Sequence, residues 1–193
     1  MAQSSTQISG QKTFKSAITV TEGCTFTSTS GTNKIAAAST TLAALSVRDL
    51  ITISGTTSNN ATFTIKTVDD NGAFITVEET VTAETSDGST DTVLTYSGFV
   101  SEKFKGDGYY SQADGIHTVA FHVDSSCTGT VKMQGSLAAT PTEDDYFDID
   151  NASFTTDQST TINALNFTGN FVWVRAKLTS NTAGSVTKIL LNN

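Results

Sequence analysis

The sequence predicts an all-β protein, and three observations carry that expectation. Thr is the commonest residue, 36 of 193 by count, and its branched Cβ favours extended backbone. Apolar and polar residues alternate at the two-residue period of a strand in one segment after another, as in DLITIS at Asp49–Ser54 and FVWVRAKL at Phe171–Leu178. Turn pairs punctuate those segments, notably Asn71-Gly72 and Asp87-Gly88. Leu, Ile, Val and Phe number 44, about 23 % of the chain and above the roughly 20 % below which disorder sets in. The expected architecture is two small β modules behind an N-terminal arm, a β-barrel or meander followed by a β-sandwich. The boundaries read as an arm or edge strand over 1–34, a barrel-like module over 35–98, a glycine-rich linker over 99–115 and a sandwich over 116–193.

Residues 1–20 are polar apart from the weak alternation KTFKSAITV at Lys12–Val20. In that segment Phe14, Ile18 and Val20 fall on one side and Lys15 and Thr19 on the other. Such a half-core with no evident intrachain partner is expected to pair with a neighbouring molecule. In the next module TTLAALSV supplies a short helix or turn that caps the open end of a small barrel, since about ten residues are too few for an independent helix. ITISG, ATFTIKTV and AFITVEETVT read as strands, the latter two joined by DDNG as a tight hairpin with positive φ, and TVLTYSGF closes the module. FVSEKFKGDGYYSQADG, at Phe99–Gly115, reads as a linker that packs down. Six further strands follow in IHTVAFHVD, GTVKMQGSL, DYFDID, TTINALNF, FVWVRAKLT and SVTKILLNN, a spacing that suits a sandwich. Pro141, the only proline, falls between strands, where its missing N–H costs nothing.

The net charge of -8 and the 11 scattered basic residues argue against a phosphate-binding surface, so no nucleic-acid partner is expected. Lys103 and Lys105 are the nearest approach to a basic cluster. The chain has no run of 18 apolar residues and opens without a basic-then-apolar signal, which leads to the expectation of no membrane partner and synthesis in a cytoplasm. Cys24 and Cys127 then read as buried thiols in preference to a disulfide.

No catalytic constellation is visible, and no enzyme activity, cofactor or metal is expected. His117 and His122, the only histidines, point to opposite faces of one strand and cannot converge on a metal or a proton. Glu143, Asp144, Asp145, Asp148 and Asp150 are scattered over two strand faces, unlike a calcium loop. On Phe171–Leu178 the aliphatic residues take one side and Phe171, Trp173, Arg175 and Lys177 the other. Trp and Arg together suit an interface, so Phe171, Trp173 and Arg175 join Phe14, Ile18 and Val20 as candidate interface residues. Tyr109 and Tyr110 read as packing residues before glycan-binding ones.

Five segments occur in a telling order: DGYY at Asp107–Tyr110, HTVAFHV at His117–Val123, GTVKMQGSL at Gly129–Leu137, PTEDDYF at Pro141–Phe147 and FTGNFVWVRAK at Phe167–Lys177. In that order they resemble a β-sandwich of virion structural proteins of tailed phages, cyanophages and other marine phages in particular. The stretch DLITISGTTSNNATFTI, from Asp49, is similar to a second module of such proteins, with Arg48 where that pattern has glycine. The resemblance implies a virion component and does not distinguish head from tail. The compact, short chain, with no heptads or long repeat for a fibre shaft, leads to the expectation of a non-enzymatic capsid decoration or cement protein or head–tail accessory, with a tail-tip receptor- or glycan-binding module as the alternative. The resemblance further implies other virion proteins as partners, either the major capsid protein or tail and collar proteins. A homo-oligomer is expected, with a trimer among its states, localised to the virion.

Overall fold

The computed structural model describes residues 5–21, 23–37, 40–86, 90–110 and 115–192, and among these it is all-β, with antiparallel sheets and no closed barrel. In chain order the strands are β1 (Thr6–Ser9), β2 (Lys12–Thr13), β3 (Ile18–Val20), β4 (Cys24–Thr29), β5 (Thr32–Ala37), β6 (Asp49–Ser54), β7 (Thr62–Val68), β8 (Phe74–Val77) and β9 (Glu84–Thr85). They continue with β10 (Thr92–Val100), β11 (Phe104–Lys105), β12 (Ile116–Val123), β13 (Thr130–Ser136), β14 (Phe147–Thr155), β15 (Ile162–Thr168), β16 (Trp173–Thr179) and β17 (Ser185–Asn192). Three 3-10 turns, Thr40–Ala44, Asp107–Tyr110 and Glu143–Asp145, are the only helical segments described, and none is long and apolar enough to cross a membrane. The chain forms two compact units, a middle unit of residues 15–97 and a terminal unit of residues 1–14 and 98–193.

In the middle unit the strands neighbour one another in the order β3-β10-β6-β7-β8-β5-β4-β9. Alternation gives each strand one apolar face, and those faces share a single core containing Phe26, Ile35, Ile51, Phe63, Ile75 and Leu94. One sheet can bury its own face this way only by curling, and Leu42 from the first 3-10 turn and Leu45 just after it fill the interior, 0 % and 5 % exposed. TTLAALSV thus supplies the short turn expected of it, packed into this core and not over the end of a closed barrel. Gly72 is what lets the turn dock. Its φ is +68°, and a Cβ there would lie 2.4 Å from the Ala43 nitrogen, while its carbonyl accepts from Leu42 N at 3.2 Å. The DDNG hairpin therefore forms, with positive φ at Gly72 and not at Asn71.

The strand expected over Ala73–Thr82 stops at Val77. Beyond it Glu78 N still donates to Thr64 O at 3.0 Å, and the Glu79 carboxylate then takes over the pairing of β7, accepting from Thr64 N at 2.7 Å and Thr64 Oγ1 at 2.8 Å. A side chain thus replaces the ladder and ends the strand. The Asp87-Gly88 turn lies outside the described residues.

The terminal unit is a sandwich. One sheet runs β1-β17-β12-β15, with β2 also on β17. The other runs β14-β13-β16, with β11 and the last residues of β10 pairing β16. Val119, Phe121, Phe167, Ile189 and Leu191 from the first sheet meet Val131, Met133, Val174, Ala176 and Leu178 from the second in one core. Each such large side chain contributes roughly 1.5–3 kcal/mol by leaving water.

Two boundary expectations change. The arm over 1–34 is built into the fold: Thr6 pairs with Leu191 and Lys12 with Val186, Ile8 is 1 % exposed in the terminal core, and β3, β4 and the start of β5 belong to the middle unit. The partner of β1 and β2 is β17, some 180 residues away in the chain, which local periodicity cannot reveal. The linker over 99–115 is likewise structured where described, because β11 pairs Phe104 with Val174 and Lys105 with Trp173.

Candidate functional site

The most distinctive surface of the terminal unit grows from the 3-10 turn Asp107–Tyr110 and the start of β16. Gly106 N donates to Val172 O at 3.0 Å and Gly108 N to Phe171 O at 2.9 Å, so the turn lies flush along the chain entering β16. A Cβ on Gly108 would sit 2.5 Å from Asn170 O, and any larger residue would lift the turn away. Held this way, Tyr109 packs edge-on against both Tyr110 and Trp173, with ring centroids 5.2 and 5.4 Å apart. The Lys103 ammonium lies 4.7 Å from the Trp173 ring, and that of Lys105 4.0 Å from Tyr109 and 5.8 Å from Tyr110. Cations over ring faces are mutually attractive. A hydrogen bond with Tyr109 raises the pKa of Lys105 above its ordinary value. Tyr109 and Tyr110 nonetheless remain 45 % and 57 % exposed.

Trp173 is half-buried, and its indole Nε1 donates to Ala139 O at 3.1 Å. Its apolar body and bonded N–H are thereby fixed while its ring stays part of the surface. From the sequence alone Trp173 stands out as an interface residue, whereas the tyrosines read as packing residues and the lysines as a basic cluster too small for nucleic acid. The available signal was the interleaving of Lys and aromatic residues in KFKGDGYY.

The acidic stretch is divided among separate structural tasks. Glu143 binds Arg175 end-on, with 2.7 Å to each of Nη1 and Nη2, and Arg175 Nε donates to Gln134 Oε1 at 3.0 Å. The guanidinium also lies 3.6 Å from the centroid of the Tyr146 ring. Asp145 accepts from Thr142 N at 2.7 Å, the bond that chiefly holds its carboxyl below the usual range. Asp148 is bound by Lys132 and by Gln134 Nε2, at 2.9 Å for the latter.

A second concavity, a cleft of about 530 Å³, opens between β14 and β15 and is lined by Phe147, Asp148, Asp150, Asn151, Thr168 and Phe171 among others. Its floor is aromatic: Phe171 lies 6.0 Å from Phe147 and 6.3 Å from Phe167. Behind it His117 is 0 % exposed, stacked on Phe167 at 4.9 Å, with Nε2 3.2 Å from Gly169 O. His122 is on the opposite face of β12, half-buried, with its pKa lowered by burial and then by Lys188. The two histidines do not converge.

The six candidate interface residues are mostly spent inside the chain. Phe14 is half-buried, and its N–H donates to Gly184 O at 2.9 Å. Val20 is 3 % exposed in the core of the middle unit, and Ile18 packs against that core. Phe171 belongs to the terminal core. Arg175, at 3 % exposure, is an internal ion-pair partner and no surface group. Of the six, Trp173 alone joins the exposed aromatic cluster. Cys24 and Cys127 are free buried thiols, each pushed up to about 11, chiefly by burial. Comparison of the chain with protein-family models, curated proteins and solved structures returns no match.

Proposed function

We propose that this chain is a non-enzymatic structural protein of a tailed-phage virion that acts by protein–protein association, as a capsid decoration or cement protein or as a head–tail accessory. The observation that carries the reading is the exposed cluster of Tyr109, Tyr110 and Trp173 flanked by Lys103 and Lys105. Tyr and Trp concentrate binding energy where protein surfaces meet, and here they are displayed while Glu143, Asp145, Asp148 and His117 are occupied in holding the fold. Two of the segments that carry the phage resemblance, DGYY and FTGNFVWVRAK, are the ones that build this cluster. Its partners on this reading are other virion proteins. The test is quantitative mass spectrometry of phage particles purified from the culture that makes the protein. Hundreds of copies per particle support decoration, about a dozen support a neck or collar position, and absence from the particles overturns the reading.

The exposure of both tyrosines also favours a second reading, a receptor- or glycan-binding module, because aromatic faces stack on sugar rings as readily as on protein. Saturable binding of host surface polysaccharide that is lost in Tyr110→Ala, with particle attachment intact, would favour it over the first.

A further inference from the structure

Edge strands present unpaired N–H and C=O groups, and folded proteins blunt them with shortness, bulges or charge. Among the described residues the terminal unit does so at every edge but one. β1 has four residues and a register slip between Gln7 and Ser9, and β2 and β11 have two residues each. β14 is interrupted by a wide bulge: between the pairs Lys132↔Ser153 and Gln134↔Asp148, β13 advances two residues and β14 five. That bulge holds Asn151 at φ +59°, and Asp148 and Asp150 add charge to the same edge. β15 carries none of these devices. It pairs with β12 over seven consecutive residues without a slip, its sequence INALNFT has no charged residue, Pro or Gly, and Ile162 at its start is 57 % exposed.

We propose that β15 pairs antiparallel with β15 of a second copy of this chain about a twofold axis, joining two five-stranded sheets into one. In a chain of net charge -8, most surfaces repel their own copy, whereas an uncharged strand brings no like charges together at the seam. A twofold contact also needs a self-complementary patch, and β15 has one. Centred on Leu165, the pairing sets all seven residues opposite one another, Ile162 of one copy beside Thr168 of the other. Ile162, 57 % exposed in the single chain, is thereby covered at each end of the seam, twice per dimer. Assemblies built this way are even-numbered, unlike the trimer named among the sequence expectations. The inference concerns the isolated chain and does not depend on the virion reading.

The test is the mass of the full chain by light scattering through a concentration series spanning the micromolar range. Wild type is expected to rise to twice the 20.3 kDa of the chain. Ala164→Lys with Asn166→Lys, both at exposed outward positions, sets Lys opposite Lys on either side of the seam's centre and raises the dissociation constant at least about tenfold. Circular dichroism checks that this variant keeps its fold. As an independent readout, Ile162→Cys with Thr168→Cys is expected to form a disulfide-linked dimer on mild oxidation, and Ile162→Cys alone is not. A monomer at every concentration, a dimer indifferent to the lysine pair, or failure of the cysteine pair to cross-link would each overturn the proposal. So would a chain that stays monomeric and protects β15 from hydrogen exchange only when a different virion protein is added.

Discussion

Arg175 and Glu143 face each other fork to fork, both guanidinium nitrogens 2.7 Å from carboxylate oxygens, with Arg175 3 % exposed. The pair fastens the turn Glu143–Asp145 onto β16 and keeps a buried cation neutralised. Removing one partner of a buried pair leaves the other uncompensated, at roughly 3–5 kcal/mol. Glu143 is itself 21 % exposed, which admits water and moves the cost toward the lower end. Glu143→Gln is therefore expected to destabilise the terminal unit by about 3 kcal/mol, and Arg175→Met in the same chain to recover most of that loss. Urea denaturation of the two single variants and the double variant measures it. Equal losses in the single and double variants would show that packing of the arginine stem matters more than the charge.

Ile8 gives the second prediction. It is 1 % exposed, and β1 and β2 have their ladder partners on β17. Ile8→Ala is expected to cost about 2–4 kcal/mol through lost burial and the cavity left behind, and deletion of residues 1–14 to unfold the terminal unit. Hydrogen exchange at Ile189 and Leu191 reports on that unit directly. Unchanged protection there after the deletion would return these residues to the status of a loose arm.

What the sequence made legible follows from how far each signal reaches. Strand existence is local: the alternation in ITIS, TFTI and VWVRAKL reproduces the burial of Ile51, Ile53, Phe63, Ile65, Val174, Ala176 and Leu178. The placing of His117 and His122 on opposite faces follows from the same two-residue period. What failed is non-local. Ile8 sits in a polar segment and acquires its meaning from Leu191 at the other end of the chain. Arg175 looked like an interface residue because its strand neighbours showed which face it shared with Trp173, and could not show that a turn carrying Glu143 folds over that face. The aromatic cluster depends on a backbone contact between Gly108 and Phe171, which leaves no periodic trace.

Arg48 carries a prediction about the backbone. Its φ is +69°, a conformation that favours glycine, and its N–H is fixed to Ile65 O at 2.7 Å. Left-handed backbone costs a residue with a Cβ about 1–2 kcal/mol, while glycine gives back roughly 0.5–1 kcal/mol through the greater freedom of its unfolded chain. Both Arg48→Gly and Arg48→Ala remove the side chain, so the backbone balance is read between them: Arg48→Gly is expected to be the more stable of the two by about 0.5 kcal/mol. Thermal melts of both variants beside wild type separate the two effects. A gain in Arg48→Ala as large as in Arg48→Gly would place the cost in the side chain.

The loop from β14 to β15 contributes to the low-pH behaviour of the fold. Asp157 Oδ1 accepts from Ser159 N at 2.9 Å and Thr160 N at 2.8 Å, and these bonds, that from Thr160 first, hold its carboxyl at about 2 against an ordinary 3.8. A carboxyl depressed in the folded state stabilises above its unfolded pKa and loses that contribution as pH falls through the folded value. Wild type is therefore expected to exceed Asp157→Asn in stability by a constant margin above about pH 5, and the margin to shrink between about pH 4 and pH 2. Asp124, Asp145 and Asp148 are lowered as well, so both proteins weaken over the acidic range and only their difference isolates Asp157. Urea midpoints of the pair at a series of pH values supply it, with an NMR titration to locate the carboxyl itself. A margin that stays constant down to pH 2 would mean that the turn is held by its backbone alone, with the Asp157 carboxylate contributing nothing to it.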